Sequence, residues 1–276
     1  MTVGICGLGL IGGSMAKAYR AEGHEVLGFD LDEATLGYAT LADIICARLD
    51  DSTIPQCDLI FIALYPQAAV EYLRSISPKV SLHTVVIDLC GTKKQICDAG
   101  FELARQYGFT FVGGHPMAGK QYSGIKHARA TLFGGAPMVI VPPVYDDMSF
   151  IDKIKNMLSP AGFGKLSVTT AEKHDEIIAF TSQLAHVVSN AYVKSPTAEI
   201  HKGFSAGSYK DLTRVAWLNE NMWTELFLEN KEPLLFELDH IIGALSEYRD
   251  AIAKGDREGL RALLRDGREA KEKIDG

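Results

Sequence analysis

The chain has 276 residues, of which 47% are hydrophobic and 23% are charged, a composition ordinary for a globular protein of one large domain or two smaller ones. Its formal net charge of −7 argues against nucleic acid as a main partner, because phosphate binding requires a basic surface. The longest apolar run, residues 58–65, is far shorter than the roughly 20 residues that span a bilayer, so we predict no membrane segment. The N-terminus leads directly into a predicted strand, without the basic region of a signal peptide.

The five cysteines are an odd number and contain no CxxC pair. Scattered single cysteines in apolar segments are typical of small core residues in a reducing compartment, so we expect a cytoplasmic protein and no metal site. The cysteines are Cys6, Cys46, Cys57, Cys90 and Cys97.

Residues 1–168 alternate short β-rich segments with helical ones. The predicted strands span residues 3–6, 25–30, 59–64, 84–88, 109–112, 138–141 and 165–168. The predicted helices between them include residues 11–21, 67–77, 93–107 and 150–158. This alternation predicts an α/β fold with βαβ units, a mainly parallel sheet and a dinucleotide-binding domain of Rossmann type. The continuous apolar segment 59–64 indicates a central strand covered on both faces.

The pattern changes after residue 168, where the strand signal ends and helical periodicity takes over. Two apolar stripes repeat at spacings of three and four residues: Ile177, Phe180, Leu184, Val187, Val188 and Ala191, and then Leu234, Leu235, Leu238, Ile241, Ile242 and Leu245. We therefore predict an all-helical domain over residues 169–276, with a charged surface helix in the tail 256–276. Helices this apolar need a further partner, and we expect a homodimer through the helical domain.

A glycine-rich motif lies between the first predicted strand and the first predicted helix. Gly7, Gly9 and Gly12 form a GxGxxG sequence. The first glycine makes a tight turn, the second lets the backbone approach a pyrophosphate, and the third permits close packing of helix and sheet. The helix N-terminus at Leu10 and Ile11 offers free N–H groups to the phosphates. In this context the motif predicts a dinucleotide site, although alone it would be compatible with a glycine turn that binds nothing.

Asp30 ends the second predicted strand, eighteen residues after the last glycine of the motif. An acid there accepts hydrogen bonds from the adenosine ribose hydroxyls and repels a 2′-phosphate, and neither Leu31 nor Asp32 supplies a compensating cation. We therefore predict NAD rather than NADP as the cofactor. Ala63 and Leu64, at the end of the third predicted strand, complete the predicted cofactor site.

The segment 113–125 holds His115, which follows a predicted strand and precedes Pro116. Glycines and the proline hold the imidazole rigidly near the carboxyl ends of the strands, where open α/β sheets bind ligands. An imidazole there can take the proton of a hydroxyl whose carbon gives up hydride, because its usual pKa lies near neutral pH. A lone loop histidine is also compatible with a structural hydrogen bond, and the Gly-Gly-His-Pro-Met context favours catalysis.

Three segments resemble the prephenate dehydrogenase family. Residues 113–119 are similar to its catalytic segment, and residues 181–186 resemble its substrate-facing helix start. Residues 207–216, followed by Trp223 and residues 227–231, are similar to its signature in the helical domain. The resemblance covers nearly the whole chain, in order, and implies a homodimer joined through the helical halves.

The resemblance also implies roles for individual residues. His115 would be the base for a ring hydroxyl, and Arg214 would hold a substrate carboxylate, which a planar guanidinium binds through two parallel hydrogen bonds. His186, Gln183 and Gln121 would line the substrate pocket. On periodicity alone, the arginine is compatible with a surface ion pair to the aspartate three residues before it.

The chain departs from the family pattern where a serine usually orients the catalytic histidine, because Gly91 occupies that position. Cys90, Thr92 or a water molecule are candidates to replace the serine, and we assign Thr92 to the catalytic set. Gln121 stands where many members carry Glu, and Gln183 where some carry His. The pocket thereby loses charge, and the choice between prephenate and arogenate stays open.

The resemblance implies NAD-dependent oxidative decarboxylation of prephenate to 4-hydroxyphenylpyruvate in tyrosine biosynthesis, with arogenate as the alternative substrate. A β-hydroxyacid-type dehydrogenase is disfavoured because Lys173 is followed by Ile177 where that family has Asn. A pyrroline-carboxylate-type reductase is disfavoured by the His-Pro segment and by Asp30. A non-catalytic NAD-sensing dimer, the third alternative, would bind NAD without turnover.

Overall fold

The computed structural model describes residues 1–119 and 122–275. The strands in these residues are β1 (Thr2–Cys6), β2 (Glu25–Phe29), β3 (Ala47–Arg48), β4 (Leu59–Ile62), β5 (Val85–Asp88), β6 (Thr110–Pro116), β7 (Pro137–Val141) and β8 (Lys165–Val168). The α-helices are α1 (Leu10–Ala21), α2 (Glu33–Leu41), α3 (Pro66–Ile76), α4 (Lys94–Tyr107), α5 (Met148–Leu158), α6 (Ala171–Ile178), α7 (Ala185–Tyr192), α8 (Gly207–Thr213), α9 (Glu220–Glu229), α10 (Lys231–Lys254) and α11 (Arg257–Asp275). The sequence analysis missed α2 and β3.

The strands form one sheet in the order β3-β2-β1-β4-β5-β6-β7-β8. All neighbouring strands are parallel except β6 and β7, which are antiparallel, so the prediction of a mainly parallel sheet is confirmed. Since β1, β4, β5 and β6 run in the same direction, their carboxyl ends lie along one edge of the sheet. The loops that follow these strands therefore meet at that edge, where the predicted site residues are found.

The apolar core lies on both faces of the sheet, and β4 contributes to both. Leu59 and Phe61 pack into the layer beneath α1 and α5, whereas Ile60 and Ile62 pack into the layer beneath α3 and α4. Because β4 is fully buried and central, the prediction of a strand covered on both faces is confirmed.

Strand β6 is longer than predicted because it changes partner along its length. Its first residues pair with β5, and its last four, from Gly113 to Pro116, pair with β7. The glycines allow this close approach: a Cβ at Gly114 would lie 2.5 Å from the carbonyl oxygen of Asp88, and one at Gly113 would lie 2.5 Å from the Sγ of Cys97. His115 therefore belongs to the strand itself, which holds its backbone more rigidly than a loop would.

Only helices follow β8 in the described part of the chain. A π-helical segment, Ala179–Leu184, joins α6 to α7 without a break, and α10 packs against this segment and against α11. The predicted surface helix in the tail corresponds to α11. Large apolar side chains remain exposed in this half of the molecule, among them Phe180, Leu235, Phe236, Ile242, Leu245 and Ile252. No helix in the described residues is long and apolar enough to cross a membrane.

Candidate active site

The glycine-rich loop after β1 has the geometry that a dinucleotide requires. Gly7 has a φ of +84°, and its N–H donates to the carbonyl of Phe29 at 2.8 Å. A Cβ at Gly12 would lie 1.8 Å from the carbonyl oxygen of Gly7, whereas a Cβ at Gly9 would meet no atom within 4 Å. The loop is thus closed on the protein side and open at Gly9, where a phosphate can approach the backbone.

The N-terminus of α1 and its surroundings complete this surface. No side chain caps the helix, and its first turn carries no acidic residue, so the N–H groups at Leu10 and Ile11 remain for an anion. Ala63 and Leu64 lie against the loop at Gly7. A Cβ built on Gly7 would be 2.4 Å from the carbonyl oxygen of Ala63 and 2.9 Å from a Cδ atom of Leu64. These contacts fit the pyrophosphate of NAD.

Asp30 stands at the carboxyl end of β2, next to the same loop. Its Oδ2 accepts the N–H of Leu8 at 2.7 Å, and its Oδ1 accepts the N–H of Asp32 at 3.0 Å. A carboxylate has about four lone-pair directions, so acceptor positions remain for ribose hydroxyls. The position and chemistry of Asp30 therefore fit the adenosine ribose of NAD.

His115, at the end of β6, begins a chain of hydrogen bonds that continues through His174 to Asp175, both in α6. Its Nδ1 lies 2.9 Å from the Nε2 of His174, whose Nδ1 lies 2.7 Å from the Oδ1 of Asp175. The carboxylate of Asp175 also accepts the backbone N–H groups of Lys93 at 2.8 Å and Lys94 at 2.9 Å, at the N-terminus of α4. The helical half of the chain thus holds the histidine of the sheet through side-chain hydrogen bonds.

Burial and positive charge keep both histidines neutral. Burial, together with His174 and Lys93, holds the pKa of His115 well below its usual range. Burial also lowers the pKa of His174, although the hydrogen bond to Asp175 acts in the opposite direction. A neutral imidazole at the end of β6 has the protonation state that a general base requires at neutral pH.

A buried ion pair lies beside this chain. The Lys93 ammonium binds the carboxylate of Asp88, and both side chains are completely buried. Burial alone would lower the pKa of Lys93, but the charges around it, led by Asp88, leave that pKa raised. The same carboxylate accepts the N–H groups of Cys90 at 2.9 Å and Gly114 at 3.1 Å. Asp88 therefore ties the loop after β5 to the strand that carries His115.

The structure gives Thr92 and Cys90, the predicted candidates for orienting His115, other hydrogen-bond partners. The hydroxyl of Thr92 donates to the Oε2 of Glu229 at 2.7 Å, and the thiol of Cys90 points to the carbonyl of Leu64 at 3.6 Å. The Nδ1 of His115 is hydrogen-bonded to the Nε2 of His174. The hydroxyl of Thr92 donates to Glu229 and not to His115, because helix α9 places a carboxylate within hydrogen-bond distance of it.

Gln183, predicted to line the substrate pocket, is hydrogen-bonded within the protein at both ends of its amide. Its side chain is 1% exposed, its Nε2 donates to the carbonyl of Leu226 at 3.0 Å, and its Oε1 accepts the Nδ2 of Asn230 at 2.8 Å. That Nδ2 also reaches the carbonyl of Asp175 at 2.8 Å. Gln183 thus joins the π-helical segment to the end of α9, and both ends of its amide are occupied by protein.

His186 and Arg214 lie close to each other in the helical part of the chain. The ring of His186 stacks on Trp223 with centroids 3.8 Å apart, and its Nδ1 lies 2.8 Å from the carbonyl of Ser182. Burial, followed by the nearby charge of Arg214, lowers the pKa of His186. Within residues 1–119 and 122–275, Arg214 forms no ion pair, so the alternative pairing with Asp211 is absent there.

The sequence analysis did not identify His174, Asp175 or Glu229 as site residues. A signal for two of them was present, because the buried residues of α6 are Ala171, His174, Asp175 and Ile178. A histidine and an aspartate on the buried stripe of a helix indicate polar partners elsewhere in the core. Gln121 lies outside the described residues.

Comparison with known proteins agrees with this geometry. Residues 15–165 match the family model of the prephenate dehydrogenase nucleotide-binding domain, and residues 170–266 match that of the prephenate dehydrogenase dimerization domain. Prephenate dehydrogenase of Bacillus subtilis is 29% identical over 94% of this chain and 72% of its own length. Two solved structures cover nearly the whole of both chains. Arogenate dehydrogenase of Synechocystis has a TM-score of 0.81, 27% identity and 99% coverage of each chain.

The second structure is prephenate dehydrogenase of A. aeolicus in complex with hydroxyphenyl propionate and NAD+. It has a TM-score of 0.82 and 26% identity, and the match covers 100% of this chain and 98% of that one. The two solved structures are similar to this chain in both sequence and fold. Because the matched domain models account for most of its length, the chain belongs to the prephenate dehydrogenase family.

Proposed function

We propose that the protein is an NAD-dependent prephenate dehydrogenase, which converts prephenate to 4-hydroxyphenylpyruvate and carbon dioxide in tyrosine biosynthesis. The observation that carries this proposal is the state of His115: a half-buried, neutral imidazole, hydrogen-bonded to His174, at the sheet edge that also carries the glycine-rich loop. The relative from A. aeolicus binds NAD+ and a hydroxyphenyl acid, which supports the same classes of cofactor and ligand here.

The cofactor side of the site is formed by the first βαβ unit. The open backbone at Gly9 and the uncapped start of α1 would hold the pyrophosphate, and Asp30 would hold the adenosine ribose. Ala63 and Leu64 would form the wall opposite the loop. When bound, NAD supplies the hydride acceptor.

The protein contributes to the reaction by orienting the substrate and by accepting and returning one proton. His115 takes the proton of the ring hydroxyl at its Nε2 as the ring carbon gives up hydride, and the proton returns as the ring becomes aromatic and carbon dioxide leaves. Aromatisation makes the step effectively irreversible. General-base catalysis of this kind contributes roughly 10²- to 10⁴-fold in rate.

The carboxylate of the substrate's side chain is assigned to Arg214. This guanidinium is exposed and unpaired in the described residues, and it lies close enough to His186 to influence its charge state. Because a planar guanidinium offers two parallel N–H groups, it can bind a carboxylate through both oxygens. The stacked pair of His186 and Trp223 provides an aromatic wall beside it.

Arogenate is the second candidate substrate. It differs from prephenate in carrying an amino group in place of the side-chain carbonyl, and arogenate dehydrogenase of Synechocystis is as similar in fold as the prephenate enzyme of A. aeolicus. The deciding experiment is steady-state kinetics on prephenate and arogenate, each with NAD and NADP. Preferred use of prephenate with NAD supports the proposal. Turnover of arogenate alone would mean that arogenate, and not prephenate, is the substrate. NAD binding without turnover of either would identify a non-catalytic sensor.

We also propose a homodimer in the cytoplasm, with a boundary between the two domains at residues 168–169. The exposed apolar side chains of α10, such as Phe236, Ile242 and Leu245, and the match to a dimerization domain support the assembly. The five free cysteines are consistent with a reducing compartment. Light scattering on the eluted peak of a sizing column tests the dimer, and a monomer mass would contradict it.

A further inference from the structure

The two residues behind His115 have chemistry of their own. We propose that His174 and Asp175 are positioning residues that fix the tautomer of His115, so that its Nε2 carries the free lone pair and its Nδ1 carries the proton. This inference rests on the proposed role of His115 as the base. It assigns a function to two residues that the family motifs in the sequence analysis did not include.

The assignment begins at Asp175, whose carboxylate accepts two backbone hydrogen bonds. Its two oxygens accept the N–H groups of Lys93 and Lys94 at the N-terminus of α4, where the helix dipole also favours a negative charge. An ionised carboxylate can only accept hydrogen bonds. The contact of 2.7 Å between Asp175 and the Nδ1 of His174 therefore requires a proton on that nitrogen.

The next step concerns His174, which is neutral because burial lowers its pKa. A neutral imidazole with a proton on Nδ1 has an unprotonated Nε2, and this Nε2 is the atom that faces His115 at 2.9 Å. The Nδ1 of His115 must then donate the hydrogen bond. Its Nε2 is left as an acceptor, which is the state that a hydroxyl proton requires.

The same chain supports His115 once it has taken the proton. The O–H bond of the substrate breaks and an N–H bond forms at Nε2, so the ring becomes an imidazolium whose Nδ1–H donates a stronger, charge-assisted bond to His174. Among the charged groups that act on the two rings, the Lys93 ammonium opposes a positive charge on either ring, whereas Asp175 and Asp88 favour one on His174. The carboxylate of Asp175 acts through His174, which keeps its own proton on Nδ1 throughout.

Two substitutions at His174 separate the effect of the His115 tautomer on kcat from the effect of the Asp175 charge. In His174→Gln, the side-chain carbonyl can still accept the Nδ1–H of His115 but no longer transmits the influence of Asp175, and we expect kcat to fall about tenfold. In His174→Phe, the acceptor is lost, and we expect a fall of about 100-fold with substrate KM changed less than about threefold. His83→Gln, an exposed histidine at the far edge of the sheet from His115, is the matched control and should retain wild-type kcat.

The direct readout is the protonation of the two ring nitrogens of His115, measured by long-range 1H–15N correlation spectra of the 15N-labelled full chain. The His115→Asn spectrum identifies the signals of this ring. We expect a proton on Nδ1 and none on Nε2 in the wild type at neutral pH, and a gain of the Nε2–H form in His174→Phe. A wild-type ring protonated on Nε2 would overturn the proposal.

Circular dichroism and NAD affinity establish whether the variants are folded. A folded His174→Phe variant with kcat within twofold of wild type overturns the inference, while loss of activity in His115→Asn leaves the proposed function intact. If His174→Phe does not fold, the wild-type tautomer and the kcat of His174→Gln still decide the question. Retention of activity in His115→Asn would instead remove the proposed base.

Discussion

Leu226 lies over Gly91, close enough that a Cβ at Gly91 would be 3.2 Å from its Cδ2 atom. Helix α9 thus occupies the space beside Gly91, and the Nδ1 of His115 contacts His174 rather than a group in this loop. On the proposal made above, the group that orients His115 lies on helix α6 and not in the loop after β5.

Gly91→Ser tests this exchange. The added side chain meets Leu226 at a distance where the leucine must shift, and we expect a loss of roughly 1 kcal/mol in the free energy of unfolding, within the range for overpacking. The variant should not raise kcat, because the ring nitrogen that a serine would bind is already occupied. Urea denaturation and kcat measure the two effects. A rise in kcat would show that His174 does not orient His115.

Gln183→Leu distinguishes a framework role from substrate binding. The substitution leaves the Nδ2 of Asn230 with one acceptor fewer and removes the donor to the carbonyl of Leu226, so we expect a loss of about 1–3 kcal/mol in the free energy of unfolding. Substrate KM should stay near that of the wild type in the folded protein. The control is Gln56→Leu, whose exposed side chain bonds to Ser52. A raised KM with unchanged stability would return Gln183 to the substrate pocket.

Arg214→Ala should raise the KM for prephenate by about 10- to 100-fold, because a charge-assisted contact of about 1.5–3 kcal/mol is lost. Arg214→Lys should recover only part of this loss, since an ammonium cannot bind both carboxylate oxygens in parallel. Lys210→Ala, one turn earlier on the exposed side of the same segment, serves as the control for general loss of charge. Initial-rate measurements decide the matter, and an unchanged KM in Arg214→Ala would exclude the assigned contact.

The stability of the protein should fall as the pH is lowered through the usual histidine range. The pKa values of His115 and His174 are lowered in the folded state, so below about pH 6.5 the unfolded chain binds more protons than the native one. Each of these two histidines then contributes a slope of up to about 1.4 kcal/mol per pH unit. Urea denaturation at pH 7.5, 6.5 and 5.5 measures this, with His174→Gln expected to show a smaller slope. A free energy of unfolding that does not change over this range would mean that these histidines titrate normally.

Local sequence signals predicted the parts of the fold that local structure determines. The glycine-rich loop, the central strand β4 and the helices after Val168 follow from glycine spacing and from apolar periodicity within single segments. The antiparallel pairing of β6 with β7 did not follow, because pairing between strands depends on contacts across the chain. The length of β6 was underestimated for the same reason.

The sequence predicted site residues from their own loops, but it did not identify the hydrogen-bond partners that distant helices supply. Thr92 and Gln183 were assigned by position in family motifs, yet Glu229 and Asn230, more than forty residues along the chain from each, determine their hydrogen bonds. His174 and His115 are 59 residues apart in sequence. A histidine on the buried stripe of α6 predicts a buried polar partner without identifying it.

The central claim is that the imidazole of His115 is the catalytic base, and His115→Asn tests it most directly. The Nδ2 of asparagine can replace the donor to His174 while offering no basic nitrogen to the substrate, so the scaffold should persist. With saturating NAD, we expect kcat for prephenate to fall by about 10²- to 10⁴-fold, with substrate KM and NAD affinity close to wild type. A variant that retains near wild-type kcat would contradict the account.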